Sequence, residues 1–207
     1  MFSFSTRLYP ITDVQVSGLS HAKQVTQLIE GGARLIQLRE KRAAPREFYR
    51  AAEASVIAAQ ARGTQIIIND RADIALALGA DGVHLGQDDL PPEAARKLLG
   101  PDAIIGLSTH NLLQAQLAAS LPVNYIAIGP IFPTATKDNP EAVVGLAGLR
   151  QVRSAVGAIP LVAIGGITAE NAARVIAAGA DAVAVISALL SRESRISDTT
   201  YRFLQLL

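Results

Sequence analysis

The stretches IIIND at 66–70 and GVHLGQDD at 82–89 decide the fold. Ile66, Ile67 and Ile68 are apolar at successive positions, so both faces of an extended segment are apolar. A strand buried on both faces belongs to a parallel sheet. Both stretches end in carboxylates, and the carboxyl ends of parallel strands form the rim where α/β enzymes bind ligands. Asp70 and Asp89 stand 19 positions apart with one helical pattern between them. That spacing puts them on adjacent parallel strands, close enough to share a hard cation.

Outward from this pair, short β-rich runs alternate with helical ones. Strands are predicted at 8–12, 35–39, 65–69, 82–85, 104–107, 125–129, 161–164 and 182–186. Helices are predicted at 21–30, 45–61, 72–78, 92–98, 112–119, 145–155 and 169–177, with a last one at about 197–206. Eight strands each followed by a helix predict an α/β fold, a single-domain (β/α)8 TIM barrel over residues 1–207 rather than a doubly wound sheet. GADGV at 79–83 and GADAV at 179–183 lead into the fourth and eighth strands. Gly79 and Gly179 suit the left-handed turn that follows a helix, and equivalent turns four units apart suggest two half-barrels. No low-complexity linker interrupts the chain.

Half of the 207 residues are apolar but only 4% are aromatic, a balance that suits a layered α/β core. Nineteen Lys and Arg offset 18 Asp and Glu, so no bulk field draws the chain to nucleic acid or to a membrane, and anion binding must be local. The absence of Cys excludes disulfides, thiolate catalysis and Cys-ligated zinc, and it fits a reducing cytosol. The start MFSFSTRLYP lacks an apolar segment of signal-peptide length, and no run approaches a membrane span. A soluble, cytoplasmic protein is expected.

The strand ends hold the chemistry. Gln37, Arg39 and Lys41 alternate after the second strand and point the same way if the chain stays extended. Such a trio can read a polar ring and grip phosphate oxygens, although a surface ion pair of a cation with Glu40 is the plainer alternative. Asp70 and Asp89 suit Mg²⁺, which takes oxygen ligands and is held by one or two carboxylates plus substrate phosphates. Helix capping accounts for either carboxylate alone and less well for the pair. Asp88 reads as a cap or a supporting residue. The ten-residue loop PIFPTATKDN at 130–139 offers Thr134, Thr136 and Lys137 to a phosphate, or is simply a surface loop. Gly165-Gly166 after the seventh strand and Ile186-Ser187 after the eighth fall where barrels cup a phosphate on bare N–H groups. His84 reads as a satisfied buried imidazole and His21 as the start of a helix away from the site. His110, near the rim, is the one acid–base candidate. No Ser-His-Asp set or zinc-type His cluster stands out, which favours chemistry without a protein nucleophile.

The segments QLREK (37–41), IND (68–70), GVHLGQDD (82–89), GLSTH (106–110), YIAIGPIFPTATKDN (125–139), VAIGGI (162–167) and GADAVAVISAL (179–189) closely resemble the thiamine-phosphate synthases. The resemblance runs from Leu8 to about Leu190. It implies a transferase of thiamine biosynthesis built as a TIM barrel. Its substrates would be 4-amino-2-methyl-5-(diphosphooxymethyl)pyrimidine and 4-methyl-5-(2-phosphoethyl)thiazole, its products thiamine phosphate and pyrophosphate. By the resemblance, Gln37, Arg39, Lys41, Asn69, Ser108 and Lys137 hold the pyrimidine diphosphate, and Asp70 and Asp89 bind one Mg²⁺ per subunit. Thr134, Thr136, Gly166, Ile186 and Ser187 take the thiazole phosphate, and Leu38, Glu40 and Ala135 complete the binding segments. Catalysis falls to Arg39, Lys41, Ser108 and Lys137. The implied mechanism is dissociative: diphosphate departs first, and the thiazole nitrogen traps a pyrimidine-methylene cation.

Three other functions compete. A thiazole tautomerase of the same superfamily would have lost the LREK and metal motifs and would use His. A silent barrel could sense a ligand. A phosphate-binding isomerase or aldolase would need a base or Schiff-base lysine, for which Lys41 and Lys137 lack an apolar setting. Arg71 departs from the second acidic residue some synthases carry after the position of Asp70. Substrates are expected to be small molecules, and the sequence leaves open whether the chain forms a homo-oligomer.

Overall fold

The computed structural model describes residues 2–134, 141–191 and 195–207. Eight parallel strands close in sequence order into a barrel. They are β1 Leu8–Thr12, β2 Leu35–Leu38, β3 Gln65–Asn69, β4 Gly82–Leu85, β5 Ile104–Thr109, β6 Tyr125–Ile128, β7 Leu161–Ile164 and β8 Ala182–Val185. Leu8 lies opposite Val183, so β8 pairs with β1 and no sheet edge is left. Around the barrel run α1 Val14–Ser17, α2 His21–Glu30, α3 Pro45–Gln60, α4 Ala72–Leu78, α5 Pro92–Leu99, α6 Leu112–Ala118, α7 Gly145–Val156, α8 Ala169–Ala177, α9 Ser187–Leu190 and α10 Ile196–Gln205. The (β/α)8 barrel expected from the sequence is therefore the fold.

Two elements are additional. The four-residue helices α1 and α9 are too short for a 3.6-residue period to register in a sequence. α1 is held instead by the Asp13 carboxylate, which accepts the N–H groups of Gln15 and Val16 at 2.9 and 3.1 Å. β5 also runs two residues beyond its expected end, to Thr109.

Both faces of the strands are buried, for different purposes. Ile36, Leu38, Ile66, Ile68, Val83 and Ile105 face the helices. Tyr9, Ile11, Leu35, Ile67, Tyr125 and Val162 fill the barrel. Phe2 and Phe4, ahead of β1, add their rings to this interior, 5.4–6.1 Å from those of Tyr9 and Tyr125.

The repeated GAD turns have a shared mechanical role. The Asp81 carboxylate accepts the Ile66 N–H at 2.8 Å, and the Asp181 carboxylate accepts the Leu161 N–H at 2.7 Å. Asn124 does the same before β6, accepting from Ile105 at 2.9 Å. Each side chain staples the start of an odd strand to the even strand that follows. The device recurs every two units, a finer period than the half-barrel. Among the described residues no helix is long and apolar enough to cross a membrane.

Candidate active site

The C-terminal ends of the strands surround a cavity of about 600 Å³. Gln37, Arg39 and Lys41 enter it from β2 and its extension, so the predicted alternation places all three on one side. Asn69 and Asp70 come from β3, Asp89 from the turn after β4 and Ser108 from β5. Thr134, Gly166, Ile186 and Ser187 line the opposite part, from the segments after β6, β7 and β8. Leu38 and Glu40 do not line the cavity. Leu38 is fully buried between barrel and helices, as strand alternation requires of the residue between Gln37 and Arg39. The Glu40 carboxylate turns back to accept the N–H groups of Arg42 and Ala43, at 2.8 and 3.1 Å. Ala135, Thr136 and Lys137 lie outside the described residues.

The two carboxylates converge. Asp70 has φ +63°, a left-handed conformation costly for a residue with a side chain, and its carboxylate meets Lys41 Nζ at 2.5 Å. Asp89 accepts the Gly86 N–H at 2.6 Å. Burial raises the Asp89 carboxyl above its ordinary range, and the Asp70 carboxyl, within hydrogen-bonding reach, raises it further. Helix capping explains neither residue, because α4 starts from Arg71 without a side-chain cap and α5 starts from Pro91. Two facing carboxylates call for a shared proton or a cation between them. This all-oxygen pair suits a hard dication such as Mg²⁺. No cluster of three or more His, Cys, Asp or Glu competes as a metal site among the described residues.

The anion-binding side chains are braced from behind. Arg39 pairs with Asp13, whose second oxygen caps α1, and the Arg39 N–H reaches Thr12 Oγ1 at 3.3 Å. His21 is not remote, as its place at a helix start suggested. Its Nδ1 lies 2.7 Å from Thr12 Oγ1 and its Nε2 3.5 Å from Glu40, directly behind the QLREK segment. Burial lowers the His21 pKa, against the pull of Glu40 and Asp13. The rule that singles out the other strand ends also selects Asp13, the first residue past β1. Nothing in the sequence brings His21 to Glu40. Asn69 adds a buried amide nitrogen without a hydrogen-bond partner, a donor for an oxygen-rich ligand in the cavity.

His84 is the buried, satisfied imidazole that the sequence suggests, but it also faces the cavity. Its Nδ1 lies 2.9 Å from Tyr125 Oη and its Nε2 2.8 Å from Ser108 Oγ. Burial depresses its pKa to about 4, with the Asp89 carboxylate opposing and Lys41 assisting. Between about pH 6.5 and 4 the unfolded chain takes up a proton that the folded His84 refuses, so acidification through that window destabilises the fold. The expected loss of unfolding free energy is about 3 kcal/mol. Urea titrations between pH 7.5 and 4 check this. His84→Gln should flatten the profile; equal slopes for both proteins would contradict the assignment. His110 also lines the cavity, with Nδ1 2.8 Å from the Gly129 carbonyl oxygen.

The glycines after β7 have a packing role of their own. A Cβ on Gly166, at φ +64°, would stand 2.6 Å from the Pro133 oxygen and 2.7 Å from Phe132 Cβ. The segment after β6 thus lies directly on the Gly165-Gly166 turn, and its Phe132 N–H bonds the Gly165 oxygen at 3.0 Å. Close packing requires glycine there whether or not a phosphate binds.

A closed parallel barrel with acids, cations and amides gathered at its C-terminal mouth defines a TIM-barrel enzyme. The family described as thiamine monophosphate synthase matches residues 8–189. A thiamine-phosphate synthase of Koribacter versatilis is 49% identical over 191 residues, covering 89% of each chain. One from Chloroflexus aurantiacus is 46% identical over 188 residues, 90% of this chain and 86% of the relative. The structure of thiamine phosphate pyrophosphorylase from Pyrococcus furiosus superposes with a TM-score of 0.86 at 36% identity, covering 97% of this chain and 94% of that one. The chain belongs to the thiamine monophosphate synthase family, and with it to the transferases of thiamine biosynthesis.

Proposed function

We propose that this cavity joins 4-amino-2-methyl-5-(diphosphooxymethyl)pyrimidine to 4-methyl-5-(2-phosphoethyl)thiazole, releasing pyrophosphate. The observation that carries the proposal is the convergence of Gln37, Arg39, Lys41, Asn69, Asp70, Asp89 and Ser108 on one cavity in a member of this family. Asp70 and Asp89 are the residues that would hold one Mg²⁺. An ion held there would supply positive charge for the departing diphosphate.

The protein's own groups act on the same charge. As the bond between the pyrimidine methylene carbon and the diphosphate oxygen breaks, negative charge gathers on that oxygen. Arg39, Lys41 and the Asn69 amide then gain more from the transition state than from the bound substrate. The brace of Asp13 on Arg39 keeps the guanidinium in place before the reaction starts. The aminopyrimidine stabilises its own methylene cation, so no protein nucleophile is needed. The thiazole nitrogen closes the new C–N bond, and Gly166, Ile186 and Ser187 would hold its phosphate with Thr134. Lys137, Thr136 and Ala135 complete the proposed binding segments from outside the described residues.

With both precursors and Mg²⁺, purified protein is expected to form thiamine phosphate, read as fluorescent thiochrome after oxidation, and EDTA should abolish the signal. Product formed equally well in EDTA would remove the metal from the proposal. No product, with the thiazole phosphate still bound, would favour the tautomerase or the silent barrel.

A further inference from the structure

A hydrogen-bonded chain crosses the barrel interior beneath the cavity. Gln37 Nε2 donates to Tyr9 Oη at 3.1 Å, and Tyr9 Oη lies 2.9 Å from Tyr125 Oη. Tyr125 Oη lies 2.9 Å from His84 Nδ1, and His84 Nε2 lies 2.8 Å from Ser108 Oγ. Its members come from β2, β1, β6, β4 and β5, and Tyr9, Tyr125 and Gln37 are at most 2% exposed. Both ends, Gln37 and Ser108, face the cavity.

Each tyrosine has one proton to give, and a neutral imidazole has one between its two nitrogens. With the Gln37 amide as donor, the arrangement that leaves no buried proton of the chain unbonded has Tyr9 donating to Tyr125 and Tyr125 to His84 Nδ1. The imidazole proton is then on Nε2 and points at Ser108 Oγ. The Ser108 hydroxyl, accepting from His84, keeps its own proton for the cavity. An acceptor at the Gln37 end reverses every link, and Ser108 then spends its proton on His84.

We propose that Tyr9, Tyr125 and His84 are positioning residues that make Ser108 a hydrogen-bond donor toward the substrate and couple its direction to that of Gln37 across the barrel. The catalytic part of this inference rests on the proposed function, in which Ser108 touches the pyrimidine diphosphate. The coupling itself does not. A donor fixed before binding serves an acceptor on the substrate, a phosphate oxygen or a ring nitrogen, without reorientation during the reaction.

The chain has three histidines, so side-chain ¹⁵N spectra at pH 8 can be assigned by single replacements. The native protein, without substrate, is expected to carry the His84 proton on Nε2. Gln37→Glu, which can only accept at that pH, is expected to move it to Nδ1, although Gln37 does not touch His84. Adding Tyr125→Phe to Gln37→Glu should leave the His84 signal as it is with Tyr125→Phe alone; Tyr9→Phe provides a second break in the chain. An Nε2 proton retained in Gln37→Glu overturns the proposal, as does an Nδ1 proton in the native protein. In turnover, Tyr125→Phe is expected to lower kcat about tenfold with KM for either substrate within about twofold. Ser108→Ala should cost less in that background than alone. If the tautomer responds as expected but Ser108→Ala leaves kcat intact, the coupling stands and the role of Ser108 in the proposed function falls.

Discussion

Asp89→Asn is expected to lower kcat by about 10²–10³-fold, some 3–4 kcal/mol of transition-state stabilisation, while the fold survives. Asn matches Asp in size, and its side-chain oxygen can still accept the Gly86 N–H that the native carboxylate takes at 2.6 Å. What disappears is the negative charge and one of the two oxygens that could face a cation. That charge is half of a facing carboxylate pair whose partner, Asp70, is already engaged by Lys41 at 2.5 Å. One carboxylate shared with a lysine is a poor ligand set for a dication that retains much of its hydration shell. Raising Mg²⁺ should therefore restore little. The comparison is kcat for native and variant protein across a Mg²⁺ series, with thermal denaturation as a control for folding. Near-native turnover at moderate Mg²⁺ would remove Asp89 from the metal site, and full recovery at high Mg²⁺ would reduce its role to affinity.

The barrel is legible in the sequence because its signals are local. A run such as Ile66-Ile67-Ile68 records burial on both faces within three residues, and Gly79 records a helix end at one, with φ +59°. The side of the cavity formed by Gln37, Arg39 and Lys41 is legible for the same reason, since strand alternation is local. The bracing behind it is not. Tyr9 and Tyr125 meet hydroxyl to hydroxyl across 116 positions only because β1 and β6 face each other in a closed barrel. In the sequence each is simply one of few aromatics in an apolar run. His21 likewise reaches Glu40 through the packing of α2 on the barrel, which no spacing encodes. The Gly165-Gly166 pair shows the reverse. Its position in the strand order suggests a phosphate cup, but contact with Pro130, Phe132 and Pro133 is sufficient reason for both glycines.

Gly106→Ala tests the same interior from the side of packing, and it is expected to destabilise the protein by about 3–5 kcal/mol. Gly106 has no left-handed backbone to excuse it; the cause is space. A Cβ there would lie 2.1 Å from Tyr125 Cζ, 2.4 Å from its hydroxyl and 2.5 Å from Cε1. The ring cannot swing aside, because Phe4 and Tyr9 pack edge-on against it and His84 stacks on its face at 5.6 Å. Relief must come from moving the ring away from His84 Nδ1, so an overpacked core acquires unpaired buried polar atoms as well. For a chain of this length the expected fall in Tm is about 10 °C. The second-site response identifies the cause. Tyr125→Phe should not rescue Gly106→Ala, because the clash with Cζ remains when the hydroxyl is gone. Tyr125→Leu removes the far end of the ring and should recover stability relative to the sum of the two single changes. Turnover should not return with it, because the leucine variant has no hydroxyl to direct the His84 proton toward Ser108. A Gly106→Ala protein with native Tm would show that the barrel interior can yield at Tyr125. Recovery of turnover along with stability in the leucine double variant would separate catalysis from the tyrosine altogether.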